Sequence, residues 1–401
     1  MTETALREEA QEQIRSYNRA AKAWKSPYEL WKESQGLPTI RGFHVPNVYD
    51  VELTPWEARG GSGVFINLDG TGGFNDSYVY ELRAQESSVP IKHIYDELVF
   101  ILSGQGATTV WIDEKKKQTF EWGKGSWFAI PPNAWHQYHN LSGSEPARYF
   151  AMTAAPRVID TFQSLDFVFN NNHVFTDRFN NEDGYFKQTN TKTNRWWTTN
   201  FISDVRALAP ARRASVEEVE ERARAGAYGL RGSVGGAGEG RGGDSEGLRA
   251  QGGGAIAFVN GTVRCGVAFG SQPGVHTMAH RHGPGIHVLT LEGHGYSLLW
   301  PEGGTPQRVD WGPGTVFVPP EGWWHAHFNT GPEPWDWMRI GWGSDKPKPG
   351  GKQYVYSSLK EGGDQIGFDE EDPAIHAEFE EALAKNGMTC LMLHHPYCSR
   401  R

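Results

Sequence analysis

The sequence predicts an all-β chain of two tandem barrels, and three observations predict it. Over residues 96–140 short alternating runs, ELVFILS, ATTVWID and SWFAIPP, are separated by Gly-Gln-Gly, Asp-Glu-Lys-Lys and Gly-Lys-Gly. That is the strand-and-turn rhythm of an antiparallel barrel. The rhythm returns over 286–329. The two stretches also share residues in one ungapped register. Gly104, Gly106, Trp111, Trp122, Gly125, Pro131, His136 and Asn140 recur 189 residues later as Gly293, Gly295, Trp300, Trp311, Gly314, Pro320, His325 and Asn329. Identities kept in one register mark two copies of one fold.

The elements follow in order. Residues 1–50 are expected to form an N-terminal helical arm, with dense charge and sparse apolar positions over 3–24. A first barrel is expected over 51–205 and a second over 255–368. Between them, Ser215 and Glu218 have capping-box spacing, so a short helix is expected over 216–225. The glycine-dense run 226–254 reads as a linker or loop. In the tail, 369–401, Asp372 as cap, Pro373 in the first turn and Gly387 beyond the end mark a C-terminal helix.

Composition narrows the function. With 38% hydrophobic and 22% charged residues, the 401-residue chain is ordinary globular material with room for two domains. It has no 18-residue apolar span and no apolar core of a signal peptide near the N-terminus, so a cytoplasmic protein is expected. Cys265, Cys390 and Cys398 are too few and too odd in number for a disulfide framework. A net charge of −9 without a basic stripe argues against nucleic acid and anionic membranes as partners.

The spacing within each repeat carries a resemblance. Gly314, Pro320, Gly322, His325 and Asn329 fit the second motif of the cupin superfamily in full, and residues 125–140 fit it with Asn133 in place of the inner glycine. Asparagine also tolerates left-handed backbone. The first cupin motif, His-x-His followed by Glu and Gly, is matched in both copies with one departure each. The chain therefore resembles a bicupin, which implies two jelly-roll barrels, each with four inward-facing ligand positions. Those positions hold Ile91, His93, Glu97 and His136 in the first copy and His280, His282, Ile286 and His325 in the second. Alternation along extended strands is expected to set 91, 93, 95 and 97 on one face, and likewise 280, 282 and 286.

The resemblance implies metal on His280, His282 and His325, with a possible second site on His93, Glu97 and His136. The first set suits Fe(II), Zn, Ni or Cu; the second is the two-histidine, one-carboxylate set of non-haem Fe(II). The His280-Arg281-His282 run is similar to the bicupin dioxygenases that cleave gentisate, salicylate and hydroxynaphthoate. In the gentisate type, however, the metal lies in the first cupin. The reading is a dioxygenase, with Fe(II) as cofactor, acting with O₂ on a small aromatic or enolic substrate. Arg281 and His327 are its candidate catalytic residues. The alternatives are a lyase, decarboxylase or isomerase using Mn, Ni or Zn, and a non-catalytic small-molecule binder. The Trp323-Trp324 and Trp335–Trp337 clusters are candidates for an aromatic pocket or for core, and Arg339 for a carboxylate contact. A homo-oligomer is expected.

Overall fold

The computed structural model describes residues 25–187, 191–192, 196–209, 215, 217–218, 252–283, 285–340, 358–393 and 395–400. The helix expected over 3–24 and most of the glycine-dense run lie outside them. No helix among the described residues is long and apolar enough to cross a membrane.

Each repeat folds as two antiparallel layers. In the first, the large sheet contains Gly61–Leu68, Asp76–Leu82, Ala147–Thr153, Glu97–Ser103 and Trp127–Ile130, and the small sheet Trp135–Asn140, Gln105–Asp113 and Lys116–Gly123. In the second, the large sheet contains Gly252–Phe258, Val263–Ser271, Trp335–Ile340, His287–Glu292 and Val316–Phe317, and the small sheet Trp324–Asn329, Gly295–Trp300 and Gln307–Trp311. These are two tandem cupin-type jelly rolls.

The repeated residues do the same work twice. Gly104 and Gly293 have φ of 82° and 91°, and Gly125 and Gly314 have 90° and 88°, where the chain reverses. Asn133 has φ 57° where Gly322 has 72°. Trp122 Nε1 donates to Thr108 Oγ1 at 2.9 Å, and Trp311 Nε1 to Ser297 Oγ at 3.1 Å. The Asn140 amide donates to the Leu82 and Glu145 carbonyls, and the Asn329 amide to those of Ser271 and Glu333.

Both large sheets are buried on two faces. Inner faces fill the barrels: Phe65, Tyr78, Val99, Phe128 and Tyr149 belong to the first core. The opposite faces pack barrel against barrel, where Val64, Leu98, Phe100 and Phe150 join Phe258, Val267, Leu289 and Met338 in one apolar cluster. Two-sided burial explains why ELVFILS is a nearly unbroken hydrophobic run.

Three boundaries differ from those the sequence suggested. The expected helical arm contributes strands to both barrels. Thr39–Gly42 pairs in parallel with the first barrel's Gly61–Leu68, while His44–Val45 pairs with Val316–Phe317 of the second. Thr191–Lys192 and Trp196–Thr198, expected in the first barrel, lie in the second barrel's sheet, with Trp196–Thr198 parallel to Ala255–Ala257. Phe201–Ile202 then crosses back to pair with Trp127–Phe128 of the first barrel. The exchange is reciprocal: each barrel's edge is completed by a strand lying just before the other barrel. The glycine-dense run therefore follows a strand held by the first barrel, Phe201–Ile202, and leads into Gly252–Phe258 of the second.

Helices begin where capping chemistry starts them. Ser26 Oγ accepts from Glu29 N–H and Pro27 stands in the first turn of Pro27–Ser34. Asp372 caps Pro373–Lys385, accepting from Ala374 N–H at 2.9 Å, and Gly387 (φ 69°) follows its end. Ser215 and Glu218 make the reciprocal bonds of a capping box, at 2.9 and 3.3 Å; the rest of the helix expected there lies outside the described residues.

Candidate metal centres

In the first barrel the backbone brings three ligand-type side chains together. Ile91 and His136 form an antiparallel bridge, and residues 92–96 run on as irregular chain until the strand begins at Glu97. Strand alternation is therefore not what aims His93. Its ring lies flat on Tyr95, centroids 3.8 Å apart and planes 5° apart, and Nδ1–H donates to the Tyr95 carbonyl at 2.8 Å. His136 Nδ1–H donates to the Ala134 carbonyl at 3.2 Å. With the proton fixed on Nδ1, each ring turns an Nε2 lone pair inward.

Both Nε2 atoms are buried without a hydrogen-bond partner. Burial first, then the nearby Arg59 charge, lowers the His93 pKa to about 3; burial and then His93 do the same to His136, also to about 3. Both rings are neutral at pH 7, as ligands are. Glu97 Oε2 stands 3.7 Å from His93 Nε2. The donor atoms of His93, Glu97 and His136 all lie within 4.8 Å of one another. Converging buried lone pairs beside a carboxylate fit a divalent cation.

Groups that motif reading did not find hold Glu97 in place. Tyr78 donates its hydroxyl to Oε2 at 2.7 Å and Tyr138 to Oε1 at 3.1 Å. Arg59, 6% exposed, donates to the Tyr78 hydroxyl at 2.7 Å and lies 3.8 Å from Glu97. Its guanidinium packs over Trp56 and Tyr78, 4.6 and 5.1 Å from their ring centroids. A small cavity beside it is lined by Tyr28, Trp31, Trp56, Tyr78 and Tyr95.

In the second barrel His280 and His325 form the bridge equivalent to Ile91 and His136. Their ring centroids are 4.2 Å apart. Nδ1–H of His280 donates to the Met278 carbonyl at 3.0 Å, and that of His325 to the Trp323 carbonyl at 3.1 Å. The group whose donor atoms lie within 4.8 Å of one another is His280, His325 and His327. His282 stands beside it, its centroid 4.7 Å from His325 and 5.8 Å from His280, with Nδ1–H on the Gly283 carbonyl at 3.0 Å. Burial lowers the pKa of His282 and, further, that of His325. Three converging buried imidazoles fit a divalent cation here too.

His327 bonds to Ser297 at 2.8 Å and occupies the place of Tyr138 in the repeat. The second barrel thus holds Ile286 and His327 where the first holds Glu97 and Tyr138. The register of the repeat contained this signal.

Arg281, proposed from the sequence as catalytic, is committed elsewhere. Nε donates to Asp364 at 2.9 Å, an Nη to Glu302 at 2.6 Å, and the guanidinium lies 4.3 Å from the Trp324 ring centroid. It ties the segment around residue 364 to the barrel wall. Trp335 packs with Trp311 and Phe317, with Trp323 and Trp337 against them, so these tryptophans are core rather than pocket. Arg339 lies against Gly266, within electrostatic reach of His282. His287 is buried near Phe150 between the barrels, and His294 pairs loosely with Glu333 at the surface.

The family comparison agrees with this architecture. Residues 78–153 match the Cupin domain family. Those residues hold His93, Glu97 and His136, and the second cupin-type barrel repeats their plan. No curated protein matches the chain. Among solved structures, the chain is similar to an oxalate decarboxylase of Bacillus subtilis studied for its Mn(II) centres. Identity is 12% and the TM-score 0.46, covering 77% of this chain and 78% of that one. It is similar also to a deletion mutant of the Bacillus subtilis oxalate decarboxylase, at 13% identity and TM-score 0.43, covering 76% and 78%.

Proposed function

We propose that the chain is a metal-dependent lyase of cupin type that acts on a small carboxylate-bearing substrate in its first barrel. The observation that carries this reading is Arg59, a buried guanidinium 3.8 Å from Glu97 that also lines a small void with Trp56, Tyr78 and Tyr95. A guanidinium held between aromatic faces in a dry interior is suited to receive a second carboxylate in bidentate fashion. His93, Glu97 and His136 would hold the ion, and the carboxylate among them suits Mn(II) or Fe(II). When bound, such an ion supplies a Lewis acid that draws electron density from a coordinated substrate oxygen.

The protein's own part follows from the contacts. Arg59 would orient the substrate carboxylate toward the ligand set. Tyr78 accepts from Arg59 and donates to Glu97, so it keeps guanidinium and carboxylate in register. Tyr138 holds the other Glu97 oxygen. Trp56, Tyr95 and Tyr149 wall the site from water, which strengthens each of these interactions.

The second barrel favours a second reading. A donor set of His280, His325 and His327 without carboxylate suits Fe(II) dioxygenase chemistry on an enolic or aromatic substrate. One experiment separates the two. The protein is purified without air, bound metals are counted by mass spectrometry, and CO₂ release and O₂ uptake are followed with small 2-oxo, dicarboxylic and hydroxylated aromatic acids. CO₂ release without O₂ uptake, lost in His93→Ala and Arg59→Met, is the expected result. O₂ uptake abolished by His325→Ala and untouched by His93→Ala would transfer the activity to the second barrel. Absence of metal from both barrels after reconstitution would end both readings.

A further inference from the structure

Outside both barrels, the C-terminal cap gathers a second kind of ligand set. His376 and Glu380 stand one turn apart on the helix Pro373–Lys385, and Cys390 and Cys398 come from the tail after it. His376 Nε2 is 3.7 Å from Cys390 Sγ and 3.6 Å from Glu380 Oε1. One donor atom from each of the four residues lies within 4.8 Å of all the others. His376, Cys390 and Cys398 are 0%, 3% and 6% exposed.

Two further features prepare these groups for a cation. Each cysteine sulfur accepts a backbone N–H from two residues on: Met392 N–H to Cys390 Sγ at 3.3 Å, and the Arg400 amide to Cys398. Burial pushes both thiols up, and the amides aimed at the sulfurs work against that push; a bound cation, which takes the thiolate, would complete the compensation. The imidazole is oriented by a chain of bonds. His276 Nδ1–H donates to the Thr277 carbonyl at 3.1 Å, leaving His276 Nε2 to accept from His376 Nδ1–H at 3.1 Å. That leaves His376 Nε2 as a lone pair facing the sulfurs. Glu380 is fixed by the Ser399 N–H at 2.8 Å. Beside the imidazoles, Glu371 lies 3.8 Å from His276 Nε2 and 3.3 Å from His395 Nε2, and burial pushes its carboxyl up to about 8, so it stands apart from the four-donor set largely protonated.

We propose that His376, Glu380, Cys390 and Cys398 bind a structural divalent ion of the zinc type, distinct from any ion in the barrels. Two thiolates, one imidazole and one carboxylate are a closed four-donor set for a borderline-soft tetrahedral cation. The ion would clamp the tail to the helix. The tail in turn is bonded to the second barrel, through Leu391 N–H on the Gly274 carbonyl at 2.9 Å.

The test uses the full chain, stripped of metal under reducing conditions and reloaded with Co²⁺. Thiolate-to-cobalt charge-transfer absorption in the wild type is the expected result. It should persist in His93→Ala and His325→Ala and vanish in Cys390→Ser and Cys398→Ser. Zinc should displace the cobalt and erase the band. Cobalt uptake without that band would overturn the proposal, and so would a Cys390–Cys398 disulfide found by mass spectrometry in protein purified under reducing conditions. Because the wild-type spectrum is decisive alone, the test stands even if a cysteine variant fails to fold.

Discussion

Ile91 and His280 hold the same place in two barrels: each exchanges both backbone hydrogen bonds with the histidine that follows its hairpin, His136 at 3.0 and 2.8 Å and His325 at 2.9 and 2.8 Å. One backbone geometry therefore presents an alkyl group in one copy and an imidazole in the other. Ile91→His should add a donor to the first barrel without moving the chain. We expect the variant to retain its metal at chelator concentrations about tenfold above those that strip the wild type, a magnitude typical of ligand-shell changes. Metal retention on titration with chelator reads this out. Equal or weaker retention would mean that position 91 does not face the ion.

The Arg59–Glu97 pair should show the asymmetry of buried charges. Removing one partner leaves the other uncompensated, which costs about 3–5 kcal/mol. In metal-free protein, Arg59→Met and Glu97→Gln should each destabilise by that order, and the double variant by less than the sum. Urea unfolding of the four proteins closes the cycle. Simple additivity would show that the pair is not coupled.

The two corner residues Asn133 and Gly322 should respond differently. Gly322 has φ 72°, so Gly322→Ala should cost about 1 kcal/mol or somewhat more through backbone strain. Asn133 shares the left-handed conformation, but its amide also donates to Asn171 Oδ1 at 2.8 Å and to the His173 carbonyl at 2.6 Å. Asn133→Gly should thus destabilise rather than relieve, by about 1 kcal/mol for the lost bonds. Denaturation midpoints decide; a stabilised Asn133→Gly would show that the amide bonds contribute nothing.

His287 offers a clean pH prediction. Burial alone lowers its pKa to about 3, and neither ring nitrogen has a partner. The unfolded chain takes up a proton near pH 6.5 that the folded chain refuses until about pH 3, so stability is whole above 6.5 and falls as the pH drops between these values. His287→Leu should remove up to about 1.4 kcal/mol per pH unit from that slope. Unfolding free energies at pH 7 and pH 5 test it, and an unchanged slope would mean that the ring titrates normally.

What could be read beforehand was what repeats or what is local. Gly104 with Gly293, the Asp372–Pro373 helix start and the Ser215–Glu218 box each need only a few neighbouring residues. The helix Pro27–Ser34 carries the same kind of local signal in Ser26, Pro27 and Glu29. Motif spacing located His93, Glu97, His136, His280 and His325 but named His282 where the structure gathers His327, whose correspondence to Tyr138 was already in the 189-residue register. Arg59 was not legible, because it precedes the motif and reaches Glu97 only through sheet packing. The tail cluster was equally hidden: His276 and His376 are 100 residues apart, and only the folded chain sets them side by side.

The crossing of His44–Val45 and Phe201–Ile202 between the barrels makes the two halves hostages of one another. A scissor cut between the halves would leave each without the edge strand its sister holds, exposing open backbone to any passing chain. A circular permutant that kept all the strands, with new ends placed in the glycine-dense run, would leave that mutual custody whole. Whatever event doubled the ancestral unit, the halves have since become parts of a single inheritance, and a mutation at either seam is felt in both.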